Sequence, residues 1–100
     1  YKVYAAALTE LGNSGVAAEV TVFAAGDDIM GVGTAAGLEP RLDRTRNCTA
    51  INACGLHVHA GSSCANSATQ GGHHFTGTSD PWAGVMYPST DGSGAAAFEF

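Results

Sequence analysis

From Val16 to Ala24 the chain alternates. Val16, Ala18, Val20, Val22 and Ala24 fall on one side, and Ala17, Glu19, Thr21 and Phe23 on the other. A period of two predicts a half-buried strand. Ahead of it, Tyr1 to Leu11 mixes aromatic and β-branched residues with the run Ala5-Ala6-Ala7. Ala7 to Leu11 has the propensity for a helical turn, but Asn13-Ser14-Gly15 fits better as a hairpin loop between two strands. Asp27-Asp28 marks a second turn. Ile29 to Leu38 carries Gly31, Gly33 and Gly37, which is poor helix material. It predicts a third strand with small residues where another backbone passes closely; a helix over Thr34 to Leu38 is the alternative. Glu39 to Cys48 holds Arg41, Arg44 and Arg46 beside Asp43 and reads as a solvated connection. Cys54 to His59 reads as a short apolar strand and Trp82 to Tyr87 as another. Asp91-Gly92-Ser93-Gly94 reads as a turn, and Ala95 to Phe100 as a last strand. Gly61 to Ser79 is rich in Gly, Ser, Thr and Asn and shows no period; a loop that long in a small domain is usually functional or tied down.

Composition narrows this all-β picture. One hundred residues make a single small domain, 1–100. Apolar residues are 45% of the chain, but alanine is prominent among them, so burial stabilises each position modestly. Charged residues are only 13%, about half the usual share. The net charge of −5 and the lack of a basic stripe argue against nucleic acid as a partner. No apolar run approaches the roughly 20 residues that span a bilayer. The chain opens at Tyr1 without Met or a basic leader, which reads as a mature product or a fragment.

Cys48, Cys54 and Cys64 form an odd set, and none of their spacings is C-x₂-C. A zinc ribbon is therefore disfavoured. Asn47-Cys48-Thr49 fits the glycosylation sequon, a mild pointer to an extracellular or secretory (lumenal) compartment. One disulfide can form within the chain; the third Cys needs a partner elsewhere or stays free.

All four histidines lie between positions 57 and 74. In His57-Val58-His59 the imidazoles stand at i and i+2, on one face if the segment is extended, so one metal ion can accept both. Imidazole suits copper and zinc, and without a local carboxylate trio the site does not suit magnesium or calcium. Gly71-Gly72 lets the backbone turn sharply before His73-His74. Neighbours on an extended chain face opposite ways, so at most one of His73 and His74 joins the pair. A solvated surface cluster is the bland alternative.

These segments resemble the copper/zinc superoxide dismutase family. Gly55-Leu56-His57-Val58-His59 matches its G-[FLV]-H-[VI]-H element, Cys64 its loop cysteine, and Gly72-His73-His74-Phe75 its G-x-H-[FY] element. The Gly-Thr-Ala-Ala-Gly-Leu-Glu-Pro stretch ending at Pro40 is similar to the strand and turn that precede them. The resemblance implies a Greek-key β-sandwich or flattened barrel, lacking its last strands in this chain. It also implies copper, with superoxide as substrate, dismutated to oxygen and hydrogen peroxide. By position, His57, His59 and His74 resemble copper ligands, with His73 the alternative third ligand. Asp80 lies near the family's zinc-ligand Asp and is expected to orient a ligand from behind. The family's two further zinc histidines are missing, so no zinc site of that kind is expected, as in copper-only members. Cys48 is extra; it can pair with Cys54, leaving Cys64 for a partner outside the segment. The remaining strands would come from the rest of the chain or from neighbouring subunits. The rival expectation is a non-enzymatic structural domain in an extracellular or lumenal assembly, and a third is copper storage or sensing through the same histidines.

Overall fold

The alternating segment becomes the second strand of a four-stranded antiparallel sheet. The structure, a computed structural model, describes residues 1–43, 48 and 54–100. Its strands are β1 (Lys2–Leu8), β2 (Ala17–Ala25), β3 (Asp28–Ala36) and β4 (Ala96–Glu99), in the order β1-β2-β3-β4. Residues 9–16 connect β1 to β2, and Gly26-Asp27 turns β2 into β3, where the turn residues predicted breaks. The described chain is mostly β, with one short helix and one 3₁₀ turn. The strand order in this sheet is sequential.

Register decides what the glycines of β3 do. Val20 lies opposite Gly33, and Gly33 opposite Phe98. Gly31 exchanges both backbone hydrogen bonds with Phe100, at 2.8 and 2.9 Å. A Cβ at Gly31 would strike the Phe100 ring, and one at Gly33 the Phe98 ring and the Glu19 carbonyl. A Cβ at Gly37 would meet the Gly15 backbone, so the small residues make room for a closely passing backbone at Gly33 and Gly37, as the sequence predicts, and for aromatic rings at Gly31 and Gly33.

Phe98, Ala96, Tyr87 and Cys54 form the buried cluster, with Val20, Ala35, Leu38, Leu42, Leu56, Met86 and Phe100 packed against it. The cluster sits on the β3–β4 half of the sheet. Every residue of β1 is exposed, including Val3 and Tyr4. Burial pushes the Tyr87 hydroxyl's pKa up, with help from the nearby Glu39 charge.

Irregular segments cover the core through single antiparallel bridges, Asp43 to Ser89, Gly55 to Met86 and His59 to His73. Buried Thr90 ties down the Glu39–Leu42 connection: its hydroxyl donates to the Glu39 carbonyl at 2.7 Å and accepts from the Leu42 N–H at 2.8 Å. The Asp91 turn forms as read, its carboxylate accepting from the Ser93 and Ala95 N–H groups. The last strand also forms as read.

Two expected strands do not form. Cys54 to His59 makes only the isolated bridges, and Trp82 lies in a 3₁₀ turn, Pro81–Gly84. Proline at its first position and Asp80 as its cap, accepting from the Trp82 N–H at 2.8 Å, override the strand propensity of the aromatic. The unpatterned loop contains α1 (Ser67–Gln70), with Asn66 capping the Ala68 and Thr69 N–H groups. Cys48 and Cys54 form a disulfide, and Cys64 is free and exposed. The sequon residue Asn47, with Arg44 and Arg46, lies outside the described residues.

Candidate metal centre

The bridge between His59 and His73 is the element that builds the site. The His74 N–H donates to the Val58 carbonyl at 2.7 Å and the Ala60 N–H to the Gly72 carbonyl at 2.9 Å. That pattern makes His59 and His73 a non-hydrogen-bonded antiparallel pair, the kind whose side chains lie closest on one face. His57, two residues before His59, shares the face. Ring centroids are 4.0 Å apart for His57 and His73, 4.8 Å for His57 and His59, and 5.6 Å for His59 and His73.

The structure thus joins His57 and His59 to His73, the alternative third ligand. His74, favoured by its place before Phe75, is exposed and lines a groove with Phe75, Trp82 and Phe100. Its carbonyl accepts from the Trp82 indole N–H at 2.8 Å, which fixes the backbone that presents His73.

Two of the three rings are held from behind. His59 Nδ1 lies 2.8 Å from the Gly71 carbonyl. A carbonyl can only accept, so Nδ1 carries the proton. His73 Nδ1 lies 2.6 Å from Asp80 Oδ2. Asp80 thus sits behind His73. Partial burial works to raise the Asp80 pKa, but hydrogen bonds from the Trp82 N–H and His73, with the nearby histidine charge, hold it below the usual carboxylate range. His57 titrates below the ordinary histidine value. Burial is the main cause, repulsion from His73 and His59 adds to it, and Asp80 opposes it.

Three imidazoles suit copper, and an outer carbonyl and carboxylate on Nδ1 are the usual support of metal-binding histidines. As they stand, among the described residues no three His, Cys, Asp or Glu groups converge tightly enough to hold an ion. The His57 and His73 rings lie at an interplanar angle of 39°, packed against each other, and Gln70 Nε2 stands 3.0 Å from His59 Nε2. The donor types are ones that copper accepts, but as placed the imidazoles do not form a three-donor set. The sequence reading missed Gln70 and the Gly71 carbonyl. The signal was present in Asn66 and Gly71, cap residues bracketing a short helix.

No helix among the described residues is long and apolar enough to cross a membrane. Comparison with family models, curated proteins and solved structures found no match.

Proposed function

We propose that this chain is a copper-binding domain of superoxide-dismutase type, built as a Greek-key sandwich and working in an extracellular or lumenal compartment. One observation carries the reading: His57, His59 and His73 pack together while the Nδ1 atoms of two of them are committed to a carbonyl and a carboxylate. That leaves Nε2 of His59 and His73 as the nitrogens directed to an ion. Cys48–Cys54 pairing supports the oxidising compartment. The β3–β4 half of the sheet, covered by chain segments, supports the sandwich.

The chemistry copper supplies is a one-electron couple: one superoxide gives up an electron to become oxygen, and a second takes one electron and two protons to become hydrogen peroxide. The residues do the positioning. Gly71 sets the tautomer of His59, and Asp80 sets the ring orientation of His73. The Trp82 indole holds the His73-His74 backbone in register. The acidic chain does not steer an anion to the site, so collision rather than long-range attraction governs its encounter with superoxide.

The test is titration of the metal-free protein with Cu(II), followed by electron paramagnetic resonance for nitrogen coupling and by superoxide consumption. His57→Ala, His59→Ala and His73→Ala should each weaken copper binding and lower the number of coupled nitrogens, whereas His74→Ala should leave both unchanged. Asp80→Asn, which can still cap Trp82, should weaken copper binding about 10–100-fold. Absence of copper binding sinks the proposal; binding without superoxide consumption leaves copper storage as the function.

A second reading, a structural domain within a larger assembly, is favoured by β1, which exposes Val3, Tyr4 and Leu8. It requires assembly to survive a metal chelator.

A further inference from the structure

We infer that β1 is a docking edge for a second copy of this chain, the two β1 strands pairing antiparallel about Ala6. The inference stands apart from the copper reading, since β1 carries none of the histidines.

The backbone groups that β1 offers follow from the sheet. Gly31 and Phe100 exchange both hydrogen bonds, so the odd residues of β3 bond toward β4 and the even ones toward β2. Val32 lies opposite Thr21, and Thr21 opposite Ala5. Carried across these registers, the alternation commits the even residues of β1 to β2 and turns the N–H and C=O groups of Val3, Ala5 and Ala7 outward. Among the described residues no strand pairs with that edge. It has no proline and a single lysine at one end, so the usual protections of an edge strand are thin. Tyr4, Ala6 and Leu8 lie on the face that carries Phe98, through Val20 and Gly33. The cover over that face stops at the β3–β4 half and leaves Tyr4 55% and Leu8 47% exposed.

Charge selects the occupant and the register. Lys2 and Glu10 are the only charged side chains before Glu19, and both are exposed. The Gly15 N–H donates to Glu10 Oε2 and holds that carboxylate just past the strand. When Ala6 lies opposite itself, Lys2 falls opposite Glu10 of the second copy and Tyr4 opposite its Leu8, each pair occurring twice by two-fold symmetry. These are non-hydrogen-bonded pairs, whose side chains stand closest. Ala5 and Ala7 of the two copies exchange the backbone bonds. Centring the pair on Ala5 instead sets Lys2 against Leu8 and loses both ion pairs.

The experiment places cysteines along β1 in a Cys64→Ser background, because Cys64 is a free thiol. Across a non-hydrogen-bonded pair the Cα atoms stand about 4.5 Å apart, within reach of a disulfide. On oxidation Ala6→Cys should give a disulfide-linked dimer. Ala5→Cys and Ala7→Cys should not, because each of these positions faces the other rather than itself. Sedimentation of the parent protein should show a weak dimer that grows with concentration, as pairing of single strands makes a small interface. Lys2→Glu should weaken it roughly two- to thirtyfold, and adding Glu10→Lys should restore it. Ala5→Pro, which removes only an outward N–H, should abolish it. In hydrogen exchange, the Val3, Ala5 and Ala7 N–H groups should gain protection as the monomer associates. A chain that stays monomeric up to about 1 mM overturns the inference. A dimer that survives Ala5→Pro or is indifferent to Lys2→Glu uses another surface or register and overturns it too, as does equal crosslinking at all three cysteine positions. Protection of the three N–H groups that does not depend on concentration assigns the edge to a segment of the same chain and equally overturns it. All of these outcomes are read without metal and leave the copper reading untouched.

Discussion

Single residues here act through the backbone groups they satisfy. Asp91 accepts from the Ala95 N–H, then from the Ser93 hydroxyl and N–H, and these bonds hold its carboxyl below the usual range. A carboxylate whose folded pKa is depressed stabilises the fold above its unfolded value, near pH 4, and that contribution is lost as pH falls through the folded value. The urea midpoint should therefore fall on acidification below about pH 4. Asp91→Asn should flatten part of that fall, Asp80 contributing the same sign. A midpoint with identical acid dependence in the variant would count against this account. His73 and His74 teach a related lesson about legibility. Alternation allows at most one of them on the face of His57 and His59, and which one depends on a register set across the bridge to His59. The motif pointed to His74 because it precedes Phe75, whereas the pairing presents His73.

At the scale of elements, β3 and β4 carry the core because glycine and phenylalanine face each other across them. Phe98 is 6% exposed over Gly33. Its truncation removes a ring that the surrounding side chains cannot replace, since Gly33 offers no side chain to collapse into the space. Phe98→Ala should cost about 3–5 kcal/mol, measured by urea denaturation. A cost below about 1 kcal/mol would mean that the core is repacked elsewhere. The three sheet strands from the first third and the last strand were legible from period-two alternation and turn residues. The expected strands at Cys54 to His59 and at Trp82 to Tyr87 were not: both segments carry strand-forming residues, but a proline, an Asp cap and the demands of covering the core broke them into bridges and a 3₁₀ turn.

For the whole molecule, stability is unevenly spread. β3 is paired on both sides and flanks the core, whereas β1 is paired on one side and exposed throughout. Local opening should therefore release β1 first. Hydrogen exchange should run faster at Val3 to Ala7 than at Gly31 to Ala35, with β2 between. Equal protection across the sheet would mean that another surface covers β1 in solution, the outcome that favours the assembly reading.

By itself, the sequence determined what is local: the alternation of β2, the turns at Asn13 to Gly15 and Asp91 to Gly94, and a set of histidines able to share a face. It also supplied the Cys48–Cys54 pairing as one option among the three cysteines. Tertiary structure alone decided which face, which partner and which nitrogen. It set the aromatic rings of β4 onto the glycines of β3. It chose His73 through a bridge to His59, and it brought Asp80 and Gln70 to ring nitrogens seven and eleven residues away. Periodicity is written in neighbouring residues, whereas register and hydrogen-bond partners are fixed only when distant segments meet.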